Sequence, residues 1–281
     1  MAGMFGGFLG AGIVVLTLAG AACGYDRSSN PTDPGYGDTA ADTSGAAPDT
    51  PGGYAISAAA GRSQFRVFTA SGDIAATLAE FRTALGDPLN GGTAGPLTEG
   101  RREIKWDGAP ADMPGDFFNT TVKAGAIFST DGSGFHNSDT DFADINPNYA
   151  DDFNFFSFPK TFMPIGSAAL TTTFRVPGLE TPAATRGFGV VFSDVEREGA
   201  ASLMLFDAEG RSLGRYNAPV RSDPVGFSFV GVVFESPIVA QVRITSGQRA
   251  LGADVQDLSD GGNLDLVVMD DYLYAEPQEI R

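Results

Sequence analysis

The sequence predicts a mainly β protein, an antiparallel, jelly-roll-like β-sandwich with one short N-terminal helix. Many short segments alternate apolar and polar residues or form brief apolar runs, and clusters of Gly, Pro, Asn and Asp separate them. Only one segment has a helical period, and strands do not alternate with helices as a parallel sheet would require. With 42% hydrophobic residues and 22 Phe among 281 residues, the chain can fill a sizeable core.

The helix is predicted within residues 71–86, SGDIAATLAEFRTALG. Apolar residues recur there at the three- and four-residue spacing of one helical face: Ile74, Leu78, Phe81 and Leu85. Gly86 follows directly and is a favoured residue just beyond a helix. We therefore expect one amphipathic helix at the start of the folded part.

Six segments carry the β signal. They are residues 63–70, 187–195, 201–216, 226–234, 237–247 and 264–274. The third is predicted to be a hairpin with its turn at Asp207–Gly210, because Asp and Gly favour tight turns. From Phe135 to Phe162 the chain is dense in Asp, Asn and Phe. We expect a long irregular insert there, folded onto the sandwich by its phenylalanines; exposed phenylalanines would instead mark a partner surface.

Residues 1–23 are predicted to be a signal peptide of the lipoprotein type. They contain no charged residue, and an apolar run ends in small residues before Cys23, as in a lipobox whose cysteine is lipidated after cleavage. Gly20 stands where a lipobox prefers Leu. Cleavage by the ordinary signal peptidase after Ala21, which would release an unanchored secreted protein, is therefore the alternative.

The rest of the chain divides into a linker and one domain. From Gly24 to Ala55 the sequence has no Leu, Val, Ile, Phe or Met and is full of Gly, Pro, Ser, Thr and Asp. Such a segment cannot bury enough apolar surface to offset the entropy of ordering. We predict a disordered tether over residues 24–57 and a single β-sandwich domain over residues 58–281.

Charge and composition exclude several functional classes. The formal net charge is -17 and the isoelectric point is about 4.2, so the chain repels phosphate backbones and anionic membranes. We expect no nucleic-acid partner, and membrane contact only through the N-terminal lipid. The chain has one cysteine, Cys23, and one histidine, His136. An internal disulfide, a Cys/His zinc site and a Cys nucleophile are therefore not expected.

Several motifs in order resemble those of a family of exported bacterial proteins. They are GRREI-x-WDG, GFG-x-VFSDV, FD-x-x-G-x-SLG and MDD-x-x-Y-x-EP, and they lie between Ser63 and Gln278. The family is often surface-associated and has no assigned biochemical activity. The resemblance implies a jelly-roll-like sandwich, and it implies no catalytic residues.

The last strand segment, LDLVVMDDYLY, contains two adjacent carboxylates in an apolar run. Neighbouring side chains of a regular strand point to opposite faces, so at most one of Asp270 and Asp271 is expected to face the core. A buried carboxylate requires a cation or several hydrogen-bond donors. We predict a structural Ca²⁺ held by Asp270, Asp271 and Asp194. Backbone N–H donors, or an ion pair with Arg101 or Arg102, are the alternative.

Other acidic positions are explained by turns. Asp194 and Asp207 each end a strand segment, where an Asp side chain accepts hydrogen bonds from nearby backbone N–H groups. The loop at 257–265, DLSDGGNLD, sets oxygen ligands around a Gly-Gly turn. A solvated acidic turn explains that loop as well, because it lacks an established calcium-binding spacing.

The only tryptophan, Trp106, is followed by Asp107. A Trp beside a carboxylate can stack on a sugar ring while the carboxylate accepts a hydrogen bond from a hydroxyl group. Trp106 and Asp107 are therefore the predicted ligand-binding residues. The alternative is that Trp106 anchors the core with its indole N–H satisfied.

These features predict an exported, lipid-anchored, non-catalytic binding module of the bacterial envelope, with a structural Ca²⁺. The expected partner is an extracellular carbohydrate or another envelope component, and the expected location is the cell surface, the outer membrane or the periplasm. Two alternatives stay open: a polysaccharide hydrolase that uses paired carboxylates, and a structural envelope or matrix protein.

Cys23→Ala tests the predicted lipidation of Cys23. Without the thiol there is no lipid attachment site, so we expect the variant to leave the membrane fraction, where the wild-type protein would be found. Fractionation followed by immunoblotting measures this. Continued membrane association of Cys23→Ala would contradict this prediction.

Overall fold

The computed structural model describes residues 56–57, 64–114, 118, 123–223 and 226–280. The predicted signal peptide with Cys23, and the predicted tether apart from Ile56–Ser57, lie outside the described residues. Within the described ranges, no helix has the length and apolar character needed to cross a bilayer.

Antiparallel strands dominate the described chain. The strands are β1 (Ile56–Ser57), β2 (Phe65–Ser71), β3 (Arg101–Ile104), β4 (Asp112–Met113), β5 (Ala126–Thr130), β6 (Gly134–Ser138), β7 (Thr161–Ile165), β8 (Ala169–Arg175), β9 (Pro182–Ala184), β10 (Gly187–Ser193), β11 (Ala201–Phe206), β12 (Ser212–Asn217), β13 (Phe227–Phe234), β14 (Gln241–Ser246), β15 (Val268–Ala275) and β16 (Gln278–Glu279). The helices are α1 (Ala75–Leu85) and α2 (Tyr149–Asp152).

The strands form two sheets, which confirms the predicted β-sandwich. The larger sheet has the order β1-β2-β13-β10-β15-β7-β6-β4, with β3 also paired to β15. The smaller sheet has the order β12-β11-β14-β8-β9-β16, with β5 also paired to β8. The six predicted β segments all contribute strands, and the predicted hairpin is β11–β12.

The main core lies between the sheets, and the predicted helix packs on the outer face of the larger sheet. Along β10, Phe188, Val190 and Phe192 belong to the inter-sheet cluster. Val191 belongs instead to a second cluster, together with Phe81 of α1. The glycine at position 231 of β13 permits this packing, because an added Cβ would lie 2.6 Å from the Phe81 ring.

The region predicted to be an irregular insert is more ordered than expected. Its first residues belong to β6 and its last to β7, and Asn137 pairs with Phe162 in antiparallel register. The sequence did not predict β6 as a strand, because most of its residues are polar. The buried Asn137 side chain donates from Nδ2 to the backbone carbonyls of Trp106 and Ala109, at 3.0 and 3.1 Å, so its donor end is satisfied.

A buried ion pair joins β3 to the end of β15. Arg102 donates from Nε and Nη2 to the two carboxylate oxygens of Glu276, each at 2.8 Å, and also donates to the backbone carbonyl of Thr93. Arg101 instead contacts Asp87 and Glu103. Neither arginine therefore neutralises the Asp270–Asp271 pair, which was one alternative left open by the sequence.

Removing one partner of the buried pair should strongly destabilise the fold. Glu276→Gln leaves the Arg102 guanidinium buried beside a neutral amide, and such a change costs about 3–5 kcal/mol. We expect that loss in the free energy of unfolding, measured by urea denaturation. Glu80→Gln, at an exposed position on α1, is the matched control and should change it by less than about 0.5 kcal/mol. Equal stability of the two variants would show that the pair contributes little.

Candidate metal centre

A β-bulge explains how two adjacent aspartates are both buried in β15. Val190 pairs with Tyr272 and Phe192 pairs with Met269, so Asp270 and Asp271 together oppose the single residue Val191. Met269 and Tyr272 both join the inter-sheet core, which leaves both carboxylates on the outer side of the sheet. Both are 0% exposed. The two carboxylates thus lie on the same side of the sheet, whereas strict alternation predicted opposite sides, and the covering chain buries both.

The segment after α2 covers this pair. The N–H of Phe156 donates to Asp270 Oδ2 at 2.7 Å. The Ser157 hydroxyl lies 2.6 Å from Asp271 Oδ1 and 3.0 Å from Asp270 Oδ1. Because that hydroxyl has one hydrogen, it can donate to only one of the two oxygens.

Burial and mutual repulsion favour the protonated form of this pair. Burial, followed by the charge of Asp271, raises the pKa of Asp270 to about 9. Burial likewise raises the pKa of Asp271. These shifts favour a shared proton as an alternative to the cation that the sequence predicts at this pair.

A different set of carboxylates is grouped closely enough to hold one ion. Asp194, Glu196 and Asp257 each offer an oxygen, and these oxygens lie within 4.8 Å of one another. Asp194 follows β10 directly with a φ of 72°, a left-handed conformation that is uncommon for a residue with a side chain. Glu196 lies two residues further along, and Asp257 belongs to the loop between β14 and β15. We call these three residues the carboxylate centre.

Arg221 is the positive neighbour of the carboxylate centre in the part of the chain that the structure describes. The backbone N–H of Arg221 donates to Val195 O at 2.7 Å. Its guanidinium contacts Asp194 Oδ1 and donates to Glu196 Oε1 at 2.6 Å. Among the described residues, Asp194 Oδ2 and Glu196 Oε2 are buried without a hydrogen-bond partner. One guanidinium therefore contacts two of the three carboxylates and leaves oxygens uncompensated.

Burial and mutual repulsion raise the pKa values of Asp194 and Glu196. The pKa of Asp194 rises to about 8, chiefly through burial, which Arg221 only partly offsets. The pKa of Glu196 rises to about 7 through burial and the neighbouring Asp257. Asp257 itself is held by donors, since its Oδ1 accepts from the N–H of Leu266 at 2.7 Å.

Two further carboxylates border the centre. Asp265 Oδ2 accepts from the N–H groups of Glu196 and Arg197, and Asp152 Oδ1 accepts from the Ser259 hydroxyl at 2.8 Å. Each has its second oxygen buried without a hydrogen-bond partner in the described chain. Burial raises the pKa of each to about 6. The two bordering carboxylates are thus also incompletely compensated.

The structure regroups the predicted metal ligands. Asp194 lies with Glu196 and Asp257, and the close grouping does not include Asp270 or Asp271. Sequence reasoning missed Glu196, although its position two residues after Asp194 was a usable signal. It also treated the 257–265 loop as solvated, whereas Asp257 and Asp265 are fully buried.

The predicted ligand-binding residues lie elsewhere. Trp106 is 2% exposed, stacks on Phe162 at 3.7 Å between ring centroids, and donates its indole N–H to the carbonyl of Asp270. This arrangement is the core-anchor alternative, and it leaves no ring face for a sugar. Asp107 is exposed in the following turn. Asp207 acts as expected of a turn residue, since its Oδ1 accepts from the N–H groups of Glu209 and Arg211.

Comparisons with known proteins identify no family. No family model matches the chain. No curated protein matches it in sequence either.

Two solved structures show a distant likeness. One is the enzymatically active domain of tailspike protein 4 of bacteriophage CBA120, with 16% identity, a TM-score of 0.27 and coverage of 57% of this chain and 20% of that chain. The other is TmCBM61 in complex with β-1,4-galactotriose, with 10% identity, a TM-score of 0.27 and coverage of 63% of this chain and 99% of that chain. This chain thus spans about a fifth of the tailspike chain. TM-scores of this size transfer neither an activity nor a ligand.

The aspartate pair predicts a particular pH dependence. The folded-state pKa of Asp270, about 9, exceeds the ordinary 3.8, so the native state holds a proton that the unfolded chain releases. The free energy of unfolding should therefore fall as the pH rises from about 4 towards 9. Asp270→Asn cannot ionise, and its amide can donate where the carboxyl proton did. We expect the loss between pH 5 and pH 8 to shrink by about 1 kcal/mol or more.

Urea denaturation at the two pH values, at a fixed metal concentration, measures this difference. Asp131→Asn, at an exposed position, is the control and should keep the wild-type loss. If Asp270→Asn also keeps the wild-type loss, the pair does not share a proton.

Proposed function

We propose that this chain is an exported, non-catalytic binding module of the bacterial envelope, and that its carboxylate centre holds a structural Ca²⁺. The observation that carries the metal assignment is the buried group of Asp194, Glu196 and Asp257 oxygens within 4.8 Å of one another. The proposed ligand class of the module is carbohydrate or another extracellular polymer.

The chemistry of the donor set supports calcium. A buried, unpartnered carboxylate oxygen costs free energy, and a cation removes that cost. All donors of the centre are carboxylate oxygens, which suit a hard cation, whereas zinc is typically bound by Cys and His. Ca²⁺ accepts several oxygens at flexible geometry, whereas Mg²⁺ demands a nearly ideal octahedron.

The positions of the donors support a structural role for the ion. Asp194 lies at the end of β10, while Asp257 lies on the loop that leads into β15. An ion shared by these residues would fasten that loop to the larger sheet. Arg221 can keep its contacts with Asp194 Oδ1 and Glu196 Oε1, which would leave the unpartnered Asp194 Oδ2 and Glu196 Oε2 to hold the ion.

Burial argues against a catalytic role for the carboxylates with raised pKa values. Asp194, Asp270 and Asp271 are 0% exposed, so a polysaccharide chain cannot reach them. A glycosidase would need two acidic groups roughly 5–10 Å apart on either side of an accessible bond. The charge of -17 also disfavours polyanionic ligands.

Calcium removal and return test the metal. We expect EDTA to lower the melting temperature and added Ca²⁺ to restore it, because a ligand of the native state stabilises it by about 2.7 kcal/mol at a hundred times its Kd. Asp194→Asn should abolish the response to Ca²⁺. The variant should still fold, since it removes one charge from an over-acidic group. Differential scanning calorimetry measures all of these temperatures.

Asp270→Asn discriminates between the two acidic sites. It removes a carboxylate from the bulge and leaves the carboxylate centre intact, so the calcium response should stay at the wild-type size. If Asp270→Asn loses the calcium response of the melting temperature and Asp194→Asn keeps it, the ion binds at the β-bulge of Asp270 and Asp271 instead. A wild-type melt that neither EDTA nor Ca²⁺ changes would remove the metal altogether.

A further inference from the structure

A cleft opens between the two sheets and has a volume of about 1040 Å³. The larger sheet contributes Phe65 of β2 and Phe234 of β13. The smaller sheet contributes the turn of the β11–β12 hairpin and Gln278 with Glu279 of β16. The volume is at the upper limit of the roughly 300–1,000 Å³ found for small-ligand pockets, so the cleft can take a ligand of several linked units.

Apolar side chains in this cleft are left partly open to solvent. Phe65, Leu213 and Ile238 are half-buried, and Ile280 is 37% exposed. The Phe65 ring lies 5.8 Å from the Tyr216 ring, in an edge-to-face contact, and 5.5 Å from the Phe234 ring. These contacts hold the aromatic floor in one orientation.

Polar and charged groups border this apolar floor. Arg211 donates to Asp207 Oδ2 at 2.7 Å and to Glu209 Oε2 at 2.9 Å, so the hairpin turn presents a fixed network of donors and acceptors. Gln278 is fixed in turn, because its amide donates to the carbonyl of Leu97 at 2.7 Å. Glu279 adds a further carboxylate to the lining.

We propose that this cleft binds a neutral oligosaccharide. A sugar ring has an apolar C–H face, which would pack on Phe65 and its apolar neighbours, and a periphery of hydroxyl groups, which would bond to the polar border. The border holds three carboxylates and one already paired arginine. An acidic polysaccharide would therefore be repelled.

This inference rests on the proposed binding-module function and gives its ligand class a location. The cleft lining includes no residue of the carboxylate centre. A wild-type melting temperature that does not respond to Ca²⁺ would therefore contradict the metal assignment, and it would not affect the proposal that the cleft binds a ligand. Release of new reducing ends from a bound glycan would contradict the non-catalytic function and leave the binding site in place.

The experiment uses the folded wild-type protein and a glycan array with neutral and acidic oligosaccharides, followed by calorimetric titration of the best neutral ligand. We expect binding to neutral glycans only. Phe65→Ala should weaken the affinity at least tenfold. Ile280→Asn is a second cleft variant, for the case that Phe65→Ala destabilises the fold. It changes an exposed position, so we expect it to fold. It should weaken the affinity at least threefold.

Phe158→Ala is the matched control. Phe158 is 79% exposed, packs edge-to-face with Phe155, and lies outside the cleft lining, so its loss should leave the affinity unchanged. Loss of binding in this variant, with normal binding in both cleft variants, would move the site to that exposed ring pair. Binding only to acidic glycans, binding to a basic peptide without any glycan, or no binding at all would also overturn the proposal.

Discussion

The need to compensate buried negative charge shapes the arrangement of this sandwich. The molecule meets that need in three ways. Arg102 pairs with Glu276 through two hydrogen bonds. Asp270 and Asp271 accept N–H and O–H donors from the covering segment, and burial favours protonation of the pair. In the carboxylate centre, Arg221 is the positive group that contacts the acids in the described part of the chain, and a divalent cation would compensate the oxygens that it leaves without a partner.

The insert after β6 depends on two of these acidic sites for its position. Asp152 reaches the border of the carboxylate centre at the Ser259 hydroxyl, whose oxygen lies 2.8 Å from Asp152 Oδ1 and 2.8 Å from Asp257 Oδ2. Two residues later the N–H of Asn154 donates to the Ser193 hydroxyl, and the N–H of Phe156 then donates to Asp270. One short segment thus crosses from one acidic site to the other. The hydroxyl of Ser193 and the carboxylate of Asp270 accept from its backbone, and the segment in turn covers the aspartate pair.

The division between a rigid interior and an open cleft fits a binding module. Asp194, Asp265 and Asp270, whose pKa values are raised, are fully buried. The cleft between the sheets presents half-buried apolar groups and fixed polar networks instead. Preorganised groups of this kind lose little conformational entropy when a ligand binds, and this favours binding.

The sequence alone determined the fold class, the positions of six β segments and the single amphipathic helix, because alternation and helical spacing are local properties. It also indicated that the acids of the last strand need compensation. It could not show a bulge that turns two neighbouring carboxylates to one side, because a bulge is defined only by the pairing of one strand with another. It could not group Asp194 with Asp257 either, since 63 positions along the chain separate them and only the folded sheet brings their oxygens together. The tertiary structure therefore decided which acids lie side by side at the bulge and which bring their oxygens within 4.8 Å of one another.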